Sequence, residues 1–311
     1  MRRFIPLLSL IALPLHAELT AEQQLVPLEV VPAESPGAKI VLLAGAPSNK
    51  PGQHEYFAGC ALMLEWLKNE AGTAPVMVAD GWPRNEALLD GARCVVIYLD
   101  GGAKLPFLEP ARWARMQKLA EAGTGFVILH QAIDCPPEKA AEFKDWFGAV
   151  FQSDIGCRGH WDVRVEHLGT HPVLAGVTAP ADFPKDGWLY NLHFAPQGVQ
   201  PVLTALMPET SRKTADAKAK SGREETIAWA FERPKGGRSF GFTGCDLHSS
   251  WAIPQQRRML VNAIRWCAGL PVNSGGAEIT TPVDLKKNLD RKIFLPKKPA
   301  KPAQAPADSP R

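Results

Sequence analysis

The stretch from residue 123 to 134, Gly-Thr-Gly-Phe-Val-Ile-Leu-His-Gln-Ala-Ile-Asp, constrains the fold more than any other. Four consecutive apolar residues, Phe126 to Leu129, follow a helix-ending glycine and stop at the polar pair His130 and Gln131. A run that is apolar at every position suits a parallel strand covered on both faces. Such a strand delivers His130 at its carboxyl end, the edge where open α/β sheets bind ligands.

The pattern recurs upstream. Residues 39–45, 76–78 and 93–99 read as strands, and residues 55–70 and 110–122 as helices between them. In the first helix Phe57, Cys60, Ala61, Leu64 and Leu67 share one face, Gly59 weakens the start and Trp66 lies off that face. This alternation predicts an α/β fold with a doubly wound, mainly parallel sheet. Beyond Trp146, residues 161–166 and parts of 187–194 and 226–232 alternate polar with apolar, as antiparallel or edge strands added to the same domain do. Residues 209–225 read as a polar surface loop, residues 238–244 as a last strand, and residues 254–268 as an amphipathic helix.

The two ends differ from the body. Arg2 and Arg3, an apolar run to Leu15 and the Leu15-His16-Ala17 site read as a cleaved signal peptide over residues 1–17, which implies a periplasmic or secreted protein. That run is shorter than the roughly 20 residues a membrane span needs, and Pro6 and Pro14 interrupt it. Residues 18–37 form a lead-in, 38–270 one domain, and 271–311 a tail rich in Pro, Lys and Ala, expected to be mobile. The formal charge of +3 resides in these ends, because the tail from Leu285 holds eight basic residues against Asp290 and Asp308. The body is net acidic and shows no basic stripe, which argues against nucleic acid as a partner. Of the six cysteines, Cys94 and Cys267 read as core, and Cys135 with Cys157 is the one pair to test as a disulfide.

Several short motifs together resemble the trehalose-utilisation (ThuA-like) family: Ala44-Gly-Ala-Pro-Ser48 with His54-Glu55, the Leu-His-x-Ala core at 129–132, Gly159-His-Trp-Asp162, His171-Pro-Val-Leu-Ala-Gly176, Asp186-Gly-Trp-Leu-Tyr190, the glycine-rich strand at 237–244, and Leu260 to Trp266. The resemblance covers about residues 38 to 270. It implies a class I glutamine amidotransferase-like, flavodoxin-like fold and a link to sugar metabolism. Amidotransferases carry a cysteine nucleophile at the turn where this chain has His130, so thioester-forming glutamine hydrolysis is not expected. The chain departs from the family pattern at Gly187, where relatives often have Glu, and at Tyr56, Asn191 and Asp246, where they often have His.

His54, His130, His160 and His248 fall in these motifs and are candidate metal ligands, since neutral imidazole is the common protein ligand of zinc-like divalent ions. The competing reading makes each a hydrogen-bonding loop residue. A metal-free scheme uses His130 or His248 as general base, oriented by Asp246 or Asp134. Gln131, Trp161, Trp188, Tyr190 and Trp251 flank the same motifs and are candidate substrate contacts, because aromatic faces stack on sugar rings; core packing is the alternative. Asp100, before two glycines, reads as a turn residue, although it mirrors His54 and His130 beyond a strand end. The chain is thus expected to act on a small carbohydrate, a sugar or keto-sugar derivative, through a histidine-rich site holding a divalent metal such as zinc. The contrasting expectation is a carbohydrate-binding protein without catalysis.

Overall fold

In the computed structural model, residues 18–31, 37–279 and 282–292 are described. The signal segment 1–17, part of the lead-in and the tail from 293 lie outside them. Strand β1 (Ala38–Ala44) leads through a loop to α1 (Tyr56–Lys68), followed by β2 (Thr73–Val78), β3 (Cys94–Tyr98), α2 (Pro110–Glu121) and β4 (Gly125–Leu129). Then come α3 (Ala140–Phe147), β5 (Ala149–Val150), β6 (Cys157–Val165), β7 (Ala181–Tyr190), β8 (His193–Phe194), β9 (Val199–Leu206) and α4 (Ala215–Ala219). Finally β10 (Glu224–Glu232), β11 (Arg238–Phe242) and α5 (Pro254–Cys267) close the fold.

Seven strands form the main sheet in the order β2-β1-β3-β4-β11-β10-β9. The first five run parallel, and β10 is antiparallel to both its neighbours. The parallel part has the flavodoxin-like order expected of the doubly wound fold. Its strands are apolar throughout because both faces are covered: Ile40 and Leu42 face a core closed by α1 and α5, while Val41 and Leu43 face a second core containing Phe143 and Phe147 of α3. Four-residue apolar runs such as Phe126 to Leu129 thus feed two cores, alternate side chains going to each.

Gly59 sits inside α1 for a steric reason. A Cβ there would lie 2.6 Å from the Tyr98 ring and 2.9 Å from Trp251, so glycine lets the helix approach β3 closely. Trp66, off the helix's sequence-defined face, is also buried and packs on Trp251 at a ring separation of 6.0 Å.

The alternating stretches form antiparallel strands of the same domain, as expected: β6 and β7 pair as a ribbon with one exposed side, β5 pairs with β8, and β10 and β9 extend the main sheet. Three expectations are corrected. Residues 209–225 do not form a simple surface loop, because Arg212 is buried against Glu225. The tail is not free from residue 271 onward: Asn288 and the side chains of Asp290 and Lys292 are buried against the body. Cys135 and Cys157 are both free, and Cys157 Sγ instead accepts from the backbone amide of Lys213 at 3.2 Å. Among the described residues no helix is long and apolar enough to cross a membrane.

Candidate functional site

Four adjacent parallel strands deliver the site. His54 lies in the loop after β1, Asp100 after β3, His130 immediately after β4, and Asp246 after β11. Four residues here have left-handed backbones without being glycine: Asn49 (φ 61°), His54 (φ 48°), His130 (φ 50°) and Cys245 (φ 76°). Each such conformation costs about 1–3 kcal/mol, a cost tolerated where the surroundings fix a functional geometry.

The buried Asp186 of β7 fixes the β11 loop. Its carboxylate accepts the amides of Cys245 (2.7 Å), Leu247 (2.9 Å) and its own neighbour Gly187 (2.8 Å), which aims the intervening Asp246 inward. Glycine at position 187 lets this loop approach closely, since a Cβ there would lie 2.3 Å from Asp246 Oδ2 and would force that side chain to shift.

Each histidine is oriented by its Nδ1. That of His130 faces the carbonyl oxygen of Thr243 at 2.9 Å and therefore carries the proton. His54 Nδ1 faces Asp100 Oδ1 at 3.0 Å, and that oxygen also accepts from Tyr56 Oη (2.7 Å) and Ser48 Oγ (2.9 Å). The two Nε2 atoms then point at one oxygen: Asp246 Oδ1 lies 3.1 Å from His54 Nε2 and 3.4 Å from His130 Nε2. That buried oxygen has no hydrogen-bond donor besides these two imidazoles. Asp246 Oδ2, by contrast, accepts from Gln53 Nε2 at 2.9 Å and contacts His160 Nε2. Among the described residues, His54, His130 and Asp246 form the group able to hold a metal ion, with ligand atoms all within 4.8 Å of one another.

The electrostatics agree. Burial alone would raise the Asp246 carboxyl, but hydrogen bonds and charge from His130 and His54 hold it well below the usual carboxylate range. Asp100 is likewise held low against burial by His54, Lys104, Tyr56 and Ser48. Burial pushes the His54 imidazole down, yet the two aspartates outweigh it and leave its pKa raised. An opposite charge within a few ångströms favours the ionised form in each case.

A pocket of about 550 Å³ opens over this group and is also lined by Asn49, Lys104, Gln131, Arg158 and His160. His160 reaches it from the ribbon strand β6, with a side chain 55% exposed. Gln131 is therefore placed where it was expected, and Trp188 also borders the pocket, although its side chain is buried. The remaining candidates lie elsewhere. Asp134 binds Arg158 at 3.2 Å, leaving Asp246 as the carboxylate facing His130. Trp188, Tyr190 and Trp251 are at most 1% exposed: Trp188 donates to the Trp161 carbonyl, Tyr190 bonds Ser211, and Trp251 packs against Tyr98. Trp161 packs on Tyr190 instead of lining the pocket. Trp188, Tyr190 and Trp251 offer no free face, because a wide aromatic gains more by filling the core than by waiting for a ligand.

His248 is also corrected as a metal ligand. It is buried away from the group, neither ring nitrogen has a partner, and burial pushes its pKa down to about 4. Conversely, Asp100, Ser48, Gln53, Tyr56 and Asp186 belong to the site's framework and were missed. The position of Asp100 beyond a strand end was the one usable signal.

The model of the ThuA family, described as trehalose utilisation, matches residues 48–267. No curated protein sequence matches the chain. Among solved structures, a ThuA-like protein from Bacteroides uniformis is 16% identical with a TM-score of 0.57, covering 76% of this chain and 93% of its own. One from Parabacteroides merdae is 17% identical with a TM-score of 0.53, covering 82% and 96%. These two share the fold. With the family match spanning well over half its length, the chain belongs to the ThuA family.

Proposed function

We propose that this protein is an exported, divalent-metal-dependent enzyme acting on a small carbohydrate, a sugar or keto-sugar derivative, by isomerisation, elimination or hydrolysis. One observation carries the reading: two imidazole Nε2 atoms and Asp246 Oδ1, which has no other partner, converge on one point. Three electron pairs facing each other repel unless a proton or a metal cation lies between them, and two histidines with one carboxylate suit zinc and similar ions. The Asp100 and Thr243 acceptors behind each Nδ1 are the outer partners that keep such imidazoles oriented and basic.

An ion held there would polarise a sugar carbonyl or acidify a bound water. The chain's own groups would do the rest. His160, exposed at the rim and touching Asp246, is placed to exchange a proton with a bound molecule, while Asn49, Gln131 and Arg158 offer hydrogen bonds to hydroxyls. The pocket volume falls within the range of small-molecule sites, and carbohydrate follows from the family's description. Glutamine hydrolysis is disfavoured because the turn after β4 presents an imidazole and no thiol.

Metal analysis of the purified protein tests this. One divalent ion per chain, lost in His130→Ala, supports the reading. A metal-free protein that binds sugars without converting them would replace it with the binding reading.

A further inference from the structure

The loop that carries His54 is gripped from behind by the C-terminal segment, and one buried lysine makes the grip. The side chain of Lys292 is only 4% exposed. Its ammonium donates to the carbonyl oxygens of Gln53 and His54, the latter at 3.0 Å, and lies 3.2 Å from Glu55 Oε1. An ammonium has three donors, and these three acceptors use them all. Glu55 in turn accepts the amides of Gly52 and Asp290, both at 2.9 Å, so it ties the loop and the segment together. The segment is anchored at its other side by the lead-in: Gln23 Nε2 donates to Asn288 O (3.1 Å) and Asp290 Oδ1 (3.0 Å), and Glu22 accepts the Asn288 amide (2.9 Å).

The two carbonyls that Lys292 holds flank His54, the residue whose backbone is left-handed. Fixing the peptide groups on either side of a residue fixes its φ and ψ, and so the direction of its side chain. We infer that Lys292 and Glu55 are positioning residues that set the His54 imidazole against Asp246, so that the segment around residue 290 completes the site it never touches. This rests on the metal-site reading for its consequence, while the grip itself is separately measurable. Burying a lysine and two carboxylates is costly and often adds little stability over apolar replacements, which fits a role in geometry.

The test uses the full-length chain and Lys292→Met and Lys292→Arg variants, with hydrogen exchange read at the amides of residues 52–54 and zinc affinity read by titration with zinc alone. In Lys292→Met those amides exchange at least tenfold faster, the β4 amides keep their protection, and zinc binds at least tenfold more weakly; Lys292→Arg recovers part of both. Unchanged exchange at 52–54 overturns the inference, and so does exchange that accelerates throughout the molecule, which marks a merely structural lysine. Absence of zinc binding in the unaltered chain removes the metal reading, leaving the exchange result to decide whether the grip exists. Zinc affinity unchanged despite faster exchange overturns the positioning role.

Discussion

The two edges of the sheet carry opposite kinds of polar cluster. At the amino edge lies a cavity of about 830 Å³, larger than the one over the histidines, lined by Arg93, Arg115, Lys118, Arg233 and Arg238. It looks like an anion site until each guanidinium is followed to its partners. Arg93 donates to Ala268 O (3.1 Å), Arg238 to Trp266 O (3.3 Å), Arg233 to Thr124 O, and Arg115 to Asp90. Most of these acceptors are carbonyls at or just past the ends of α5 and α2, which need donors and favour positive charge. The arginines finish helices. At the carboxyl edge, two imidazoles and Asp246 Oδ1 converge, and that oxygen has no other partner. Size and charge would select the wrong edge; unsatisfied convergence selects the other.

Substitutions can break this contrast. The largest effect is expected at Asp246. Asp246→Asn preserves shape but removes the anionic oxygen, and divalent-ion affinity should fall at least 100-fold in a zinc titration, with any turnover lost. A hundredfold corresponds to about 2.7 kcal/mol. At the amino edge, Arg233→Met leaves the buried acceptors at Thr124 and Ser239, and the exposed carbonyl of Gly236, without their donor. It should destabilise the fold by about 2–3 kcal/mol in denaturant unfolding while leaving zinc affinity unchanged. A zinc effect from Arg233 would erase the distinction between the edges.

Acidity should separate the edges as well. The His54 pKa is raised above its ordinary 6.5 by Asp100 and Asp246, so a proton occupies the position a cation would take. Below that raised pKa, zinc affinity should fall about tenfold per pH unit, and above it the dependence should flatten. The stability that the His54 proton contributes in the metal-free protein runs the opposite way: it is fully present below 6.5 and is lost as pH rises through the raised value. The smallest effect is expected for Gly187→Ala. Its Cβ would press on Asp246, and zinc binding should weaken by about tenfold, or about 1.4 kcal/mol, with the fold intact by circular dichroism.

The sheet was legible in the sequence because β1, β3 and β4 are apolar on both faces, a pattern few other structures share. His54 and His130 stood out as polar residues beyond such strands, and Asp246 as a candidate to orient a histidine. His248 lies in the same loop as Asp246, but the 3-10 turn His248–Ala252 carries it to the far side, against Glu55 and the C-terminal segment. A two-residue spacing in an irregular loop does not encode that rotation. Asp100 was hidden by its Gly-Gly neighbours, which also suit a turn. The tryptophans were ambiguous because core and sugar platform call for the same side chain. Lys292 sits in a stretch whose composition suggests mobility, and its burial depends on Glu55, more than two hundred residues earlier.

In the proposed site His54 Nε2, His130 Nε2 and Asp246 Oδ1 hold one divalent cation. An anomalous difference map from a zinc-soaked crystal measures this directly. A single strong peak is expected between those three atoms, about 2.0–2.2 Å from each. A map with no peak there, or with zinc bound only at other residues, would contradict it.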